Sequence, residues 1–163
     1  YLNSVADLIS LTPLLIILYH FFNIIIQFFT NQYEDYKIFL GLMLSMCSSE
    51  LLKFIPYPDS FHKYTMRPKE AHNCDFFSLS GNLYKNIPGF PSTHMSITSF
   101  FVTYNILSSE NTDVYTLNNA YLITLLILMG WSRIHKKCHN LIQVIGGTLY
   151  GGFLGYCFKN IIL

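Results

Sequence analysis

Charged residues are scarce in this sequence. Asp, Glu, Lys and Arg make up only 12% of the 163 residues, whereas hydrophobic residues make up 52%. Soluble domains carry about 25% charged residues, so a large part of this chain is unsuited to contact with water. The net charge of +1 gives no extended basic surface, and we therefore expect no nucleic-acid partner.

Cysteine motifs, repeats and processing signals are missing as well. The four cysteines, Cys47, Cys74, Cys138 and Cys157, include no CxxC pair, which excludes a small disulfide framework and zinc-finger spacing. There is no internal repeat and no low-complexity tract. The first apolar run is too long for a signal peptide and lacks a small-residue cleavage site. Because the chain begins at Tyr1 rather than Met, the sequence leaves room for a preceding segment.

Five apolar stretches dominate what is present. A soluble protein can bury such helices in its core, but five of them in so short a chain leave too little polar surface to cover that core. We therefore predict one all-α domain over residues 1–163, a multi-pass transmembrane bundle of about five spanning helices with an active site at one membrane face. Glycines from Gly146 to Gly155 would let helices approach closely. The stretches are Leu8–Phe29, Ile38–Ile55, Pro91–Leu107, Leu117–Trp131 and Leu141–Leu163.

The connections between these stretches place most cationic residues on one side of the predicted membrane. The long connection Tyr57–Phe90 lies on one side, here called side A, and two further crossings return the chain to side A at Ser132–Asn140. Lysine and arginine prefer the cytoplasmic side, so the charge pattern alone favours a cytoplasmic side A. Eight of the ten Lys and Arg residues lie there: Lys53, Lys63, Arg67, Lys69, Lys85, Arg133, Lys136 and Lys137.

Three clusters on side A combine cationic, hydroxyl and imidazole side chains. They are Arg67-Pro68, then Pro91-Ser92-Thr93-His94 running from a turn into a helix, then Ser132-Arg133 followed by His139. A helix N-terminus with Ser92 or Thr93 as its N-cap is an anion site, and a guanidinium group matches two phosphate oxygens at once. Of the two histidines, one can attack phosphorus and the other can protonate the leaving oxygen.

Gln143 follows His139 by four residues, so the two side chains are expected on the same helical face. Its side-chain oxygen could accept the Nδ1–H of His139 and leave Nε2 unprotonated and directed at phosphorus. His135 and His139 also have the spacing of a metal-binding pair. However, the zinc-protease pattern requires a glutamate after the first histidine, and Lys136 and Lys137 follow it here. We therefore expect no metal.

Together the three clusters resemble the type 2 phosphatidic acid phosphatase superfamily, whose signature is Lys-x6-Arg-Pro, Pro-Ser-Gly-His and Ser-Arg-x5-His-x3-Asp. The resemblance implies a membrane lipid phosphatase that needs no metal and no other cofactor. It makes His139 the nucleophile, which forms a phosphohistidine, and His94 the general acid for the leaving group. The phosphate-binding residues that it implies are Lys53, Arg67, Ser92, Thr93 and Arg133.

Three positions depart from that signature. Ser60 stands where the lysine of the first motif is expected, so we assign this role to Lys53 at the end of the second helix and infer a loop insertion after it. Lys63 is the rival candidate. Thr93 replaces glycine. Gln143 replaces aspartate, so the group that orients the nucleophile carries no charge.

The glutamine also occurs in dolichyl diphosphate phosphatases, and Leu11–Pro13, Leu51–Lys53 and Ile142–Gly147 resemble that branch. The resemblance therefore predicts hydrolysis of a polyprenyl diphosphate, with membrane lipids as surroundings, in the endoplasmic reticulum or another internal membrane. Two alternatives stay open: a phosphatase for phosphatidate or another lipid monophosphate, and an inactive protein that binds lipid phosphates. The sequence indicates no oligomeric state.

The orientation in the membrane stays open too. The dolichyl branch resembles enzymes that face the lumen, whereas the distribution of lysine and arginine favours a cytoplasmic side A. A disulfide between Cys74 and Cys138 is possible if side A faces an oxidising lumen.

Overall fold

The computed structural model describes residues 5–30, 35–71, 74, 88–109 and 112–162, and the regular elements in these ranges are helical. Within the same ranges, the only β-type pairing is an isolated bridge between Met66 and Pro88. The predicted all-α fold class is confirmed. The helices are α1 (Val5–Ser10), α2 (Thr12–Thr30), α3 (Asp35–Leu52), α4 (Asp59–Thr65), α5 (Thr93–Ser108), α6 (Thr112–His135) and α7 (Leu141–Cys157), which continues into a π-helical turn at Phe158–Ile162.

The longer helices α2, α3, α5, α6 and α7 coincide with the five apolar stretches of the sequence. By length and composition, two helical segments of the described chain are apolar enough to cross a membrane, Val5–Phe29 and Leu141–Asn160, with mean hydropathies of 2.0 and 1.3. Large apolar side chains cover their outward faces, as at Phe29, which is 80% exposed, and Leu149, which is 69% exposed. Soluble monomers rarely expose such surfaces. Membrane crossing by all five helices stays a prediction.

Two parts of the chain differ from the sequence-based expectation. The connection after the second apolar stretch is not a plain loop, because Asp59–Thr65 forms helix α4 shortly before Arg67. Helix α6 continues past Trp131 and ends at His135, so Arg133 lies in its last turn. Helix α4 fixes the backbone just before Arg67, and the longer α6 fixes the backbone at Arg133. Both arginines belong to the candidate site described below.

Helices α5 and α7 pack with their backbones in close contact. A Cβ atom added at Gly151 would lie 2.0 Å from the carbonyl oxygen of Ser96. One turn earlier and one turn later, Gly147 and Gly155 face backbone oxygens of α5 at 2.5 and 2.9 Å by the same measure. The predicted close approach at these glycines is confirmed. Because residue numbers rise together along both helices, α5 and α7 run parallel and begin at the same end of the bundle, as the crossing count requires.

We expect Gly151→Ala to destabilise the protein and Gly152→Ala to be tolerated. A methyl group at 151 would press on the backbone of Ser96, whereas at 152 the nearest atom is the hydroxyl oxygen of Ser99 at 3.3 Å. Overpacking costs about 1–3 kcal/mol and occasionally more. Thermal unfolding in detergent should therefore show a clearly lower Tm for Gly151→Ala. Equal Tm values for the two variants would contradict the backbone contact.

Candidate active site

Three segments meet at the shared end of α5 and α7. His94 lies in the first turn of α5, Arg133 in the last turn of α6, and His139 in the turn between α6 and α7. Both histidines are buried, and the charges of Arg133, Lys53 and Arg67 act on each of them. His139 also acts electrostatically on His94. The structure thus brings predicted residues of all three motifs into one group, here called the cationic cluster, in which Arg67 is half-buried and the others are buried: His94, His139, Arg133, Arg67 and Lys53.

The amide of Gln143 is held in one orientation. Its Nε2 lies within hydrogen-bonding distance of three backbone carbonyl oxygens, those of Tyr64 at 3.0 Å, Thr65 at 3.1 Å and Met66 at 2.8 Å, which share its two hydrogens. Its Oε1 therefore faces His139, 3.0 Å from Nδ1. Since an amide oxygen can only accept, Nδ1 carries the proton in the neutral imidazole and Nε2 carries the lone pair. The predicted contact between these two side chains is confirmed.

The same carbonyl groups explain why position 143 is a glutamine and not the aspartate of the family signature. The three oxygens at the end of α4 accept from the side-chain amide of Gln143, and an ionised carboxylate has no donor to offer them. Asn140 completes the arrangement as N-cap of α7, because its Oδ1 accepts from the backbone N–H of Gln143 at 3.0 Å. Its own N–H donates to Gln143 Oε1 at 3.2 Å. The turn that carries His139 is therefore fixed on both sides.

Arg133 is completely buried and its guanidinium group has fixed partners. Nη2 donates to the carbonyl oxygen of Cys74 at 2.6 Å, and Nη1 donates to the hydroxyl oxygen of Ser10 at 3.2 Å. Cys74 forms a disulfide with Cys138, the residue before His139. The disulfide considered from the sequence is present, and it ties the segment that anchors Arg133 to the turn that holds His139.

The structure favours Lys53 over Lys63 as the lysine of the site. Lys53 is 6% exposed, its Nζ lies 2.6 Å from Glu50 Oε1, and its charge acts on both histidines. Lys63 is exposed on α4, with its Nζ 4.6 Å from the centre of the Tyr64 ring. Lys85 lies outside the described residues.

The side chains of Ser92 and Thr93, at the start of α5, have different contacts. Ser92 occupies the N-cap position, as predicted, but its side chain makes no capping bond; its backbone N–H donates instead to the carbonyl oxygen of Gln143 at 3.1 Å. Its Oγ is buried and has no hydrogen-bond partner within the described part of the chain. Thr93 Oγ1 donates to Glu50 Oε1 at 2.5 Å. Ser92 is therefore the hydroxyl suited to a phosphate oxygen, and Thr93 contacts the partner of Lys53.

The surroundings of His139 keep its ring neutral. Burial, and then the positive charges of Arg133, Arg67 and Lys53, hold the pKa of His139 well below its usual range, and the hydrogen bond to Gln143 opposes this shift in part. Burial disfavours the charged form of a histidine, and nearby cations repel an imidazolium. A neutral ring with a free Nε2 lone pair is the form that can attack an electrophile.

Sequence reasoning missed three contributors to this site. Ser10 and Glu50 lie outside the recognised motifs. The i,i+3 spacing of Glu50 and Lys53 is a signal that could have revealed their contact, whereas no pattern in the sequence shows that Ser10 contacts Arg133. The carbonyl groups at the end of α4 are backbone atoms and carry no residue-type signal. Within the described ranges no group of three or more His, Cys, Asp and Glu residues is arranged to hold a metal ion.

Comparison with known proteins identifies a family. A family model described as the PAP2 superfamily matches residues 36–162, a range that contains all three motifs and leaves out α1 and α2. No curated protein and no solved structure matches the chain.

We expect Lys53→Ala to lower activity and Lys63→Ala to leave it nearly unchanged. Loss of a sheltered contact to a transferring phosphoryl group costs roughly 100-fold or more in rate. Lys53→Ala also removes a positive charge, so the pKa of His139 should rise and the acidic limb of the kcat/KM profile should move to higher pH. Because both variants are assayed with the same substrate, protonation of the substrate affects both pH profiles equally. Matching profiles for both variants would contradict the placement of Lys53.

Gln143→Leu should lower kcat by roughly 10- to 100-fold, as for partners that orient a functional histidine. The leucine offers no acceptor to Nδ1–H, so the proton can move to Nε2. Nitrogen-15 NMR of the His139 ring in detergent should show this change of tautomer. Asn140→Ala is the matched control: it costs about 1 kcal/mol of stability through the lost N-cap but leaves the acceptor for Nδ1–H. An unchanged tautomer and kcat in Gln143→Leu would show that Gln143 serves only helix packing.

Proposed function

Because the chain belongs to the PAP2 superfamily, whose members are phosphatases that act on lipid phosphates, we propose that it is a multi-pass membrane enzyme that hydrolyses a polyprenyl diphosphate of the dolichyl type to the monophosphate. The observation that carries the proposal is the pairing of His139 with Gln143 inside the cationic cluster. A neutral histidine with a directed Nε2, surrounded by cations, suits attack on the phosphorus of an anionic phosphoryl group.

The proposed reaction has two steps. The Nε2 lone pair of His139 attacks the terminal phosphorus, and the bond from phosphorus to the bridging oxygen breaks. The negative charge of the bound diphosphate offsets the cations and allows His94 to carry a proton, which it donates to that oxygen as the lipid monophosphate leaves. Water then attacks the phosphohistidine, with His94 taking its proton; the P–N bond breaks, its electron pair returns to Nε2, and inorganic phosphate leaves. Lys53, Arg67, Arg133 and the Ser92 hydroxyl hold the equatorial oxygens, where negative charge develops.

An apolar groove beside the site supports a lipid as substrate. The groove has a volume of about 250 Å³ and lies between α4 and the start of α7. Two of its lining residues connect it to the site: Ile142 directly precedes Gln143 in the sequence, and Phe90 precedes Ser92 by two residues. We propose that this groove binds the first part of the hydrocarbon chain of the lipid substrate. The remaining lining residues are Tyr57, Pro58, Phe61, Tyr64 and Thr65.

The Cys74–Cys138 disulfide supports a site that faces an oxidising compartment. Disulfides persist in the lumen of the endoplasmic reticulum and outside the cell and are rare in the cytosol. Three of the basic residues on side A, Lys53, Arg67 and Arg133, are accounted for by the cationic cluster, which weakens the argument for a cytoplasmic side. We therefore propose that side A faces the lumen of an internal membrane.

A phosphate-release assay on purified protein in detergent tests the proposal. We expect release from dolichyl diphosphate and farnesyl diphosphate, slower release from phosphatidate, and a loss of roughly 1000-fold or more in His139→Ala. His62→Ala, which changes an exposed histidine of α4, should keep its activity. Faster release from phosphatidate would instead support a lipid monophosphate phosphatase. No release from any of the three substrates would support a protein that only binds lipid phosphates.

A further inference from the structure

Helix α1 lies against the end of α6 that carries Arg133. Ile9 packs on the apolar cluster at the contact of α5, α6 and α7. Asp7 Oδ1 lies 2.8 Å from the Nζ of Lys136, just beyond the end of α6. The matched family range begins at residue 36, so the family motifs assign no role to α1.

Ser10 is the residue through which α1 contacts Arg133. Its hydroxyl donates to the carbonyl oxygen of Ala6 at 2.8 Å, accepts from Arg133 Nη1 at 3.2 Å, and lies 2.9 Å from Ser132 Oγ. Ser132 in turn reaches the same Ala6 carbonyl at 2.7 Å. Because the single hydroxyl hydrogen of Ser10 is directed at Ala6, its lone pairs face Arg133. The three side chains are buried, at 6%, 0% and 0% exposure for Ser10, Ser132 and Arg133.

We propose that Ser10 is a positioning residue for Arg133, so that the N-terminal helix α1 completes the phosphate site formed by the family-matched residues 36–162. The inference rests on the proposed function, because it takes Arg133 to bind the phosphoryl group. Ser10 itself does not touch the reacting atoms; it acts through the guanidinium group.

Ser10 and Cys74 hold opposite terminal nitrogens of Arg133: the Cys74 carbonyl oxygen accepts from Nη2, and the Ser10 hydroxyl oxygen accepts from Nη1. Loss of the Ser10 hydroxyl removes this acceptor from Nη1. The guanidinium plane is then held less firmly in the orientation that offers two N–H groups to phosphate oxygens. An apolar contact between α1 and α6 would not require a hydroxyl at position 10.

The test measures binding of inorganic phosphate to the purified full chain by calorimetry, together with turnover of the lipid substrates. A hydrogen bond to a charged group is strong enough for Ser10→Ala to weaken phosphate binding about tenfold. Ser99→Ala is the matched control, since it removes another buried serine bond, to the Thr148 carbonyl at 2.7 Å, and should leave phosphate binding unchanged. In an Arg133→Lys background, which lacks Nη1, Ser10→Ala should have no further effect.

Several results would overturn the inference. Ser10→Ala with a lower Tm but unchanged phosphate affinity would show a structural role only. An equal further loss in the Arg133→Lys background would show that the effect does not pass through Arg133. If Ser10→Ala does not fold, Asp7→Asn loosens α1 without touching Arg133 and should weaken phosphate binding; unchanged affinity there would contradict the inference.

The same measurements separate this inference from the proposed function. A wild-type protein that binds phosphate with the expected dependence on Ser10 but releases none from the lipids would contradict the proposed function and support the role of Ser10. A wild-type protein that binds no inorganic phosphate but releases phosphate from the lipids would overturn the inference and leave the proposed function standing.

Discussion

The backbone contact between α5 and α7 determines where the two histidines lie. Because glycine at 147, 151 and 155 lets the helices touch, the start of α5 reaches the start of α7, and the N–H of Ser92 bonds to the carbonyl of Gln143 at 3.1 Å. His94 follows Ser92 by two residues. Gln143 in turn fixes His139. A longer distance between the helices would separate the proposed general acid, His94, from the proposed nucleophile, His139. Proximity of this kind accounts for much of catalysis.

The site combines this geometry with an unfavourable charge distribution. Lys53 and Arg133 are buried near two histidines, and among the described neighbours Glu50 is the carboxylate that pairs with Lys53. Cations held together in a sheltered site repel one another, and they keep His139 neutral for the same reason. A phosphoryl group with two negative charges relieves this repulsion. Phosphate binding is therefore expected to stabilise the folded protein, since a ligand that binds only the native state raises its stability.

Much of this arrangement could be predicted from the sequence, and the misses have physical causes. The apolar composition and length of five stretches located the five long helices, and motif spacing identified His94, Arg133 and His139 as neighbours. Composition could not show that α4 forms inside a long connection, because its sequence, Asp59–Thr65, has a weak pattern over only two turns. Contacts distant in sequence were also invisible, above all the one from Ser10 to Arg133. The sequence shows that glutamine at 143 departs from the family signature. The three carbonyl oxygens to which its amide donates are brought beside it only in three dimensions.

The central claim is that His139 Nε2 forms a covalent bond to phosphorus during turnover. The most direct measurement is rapid quenching of the enzyme with a lipid diphosphate under alkaline conditions, followed by mass spectrometric mapping of the phosphorylated residue. Phosphohistidine is labile in acid and persists in alkali, so the quench preserves it. The account predicts phosphate on His139, formed within one turnover and lost as inorganic phosphate appears. Active enzyme that shows phosphate on another residue, or on none at any time during turnover, would contradict it.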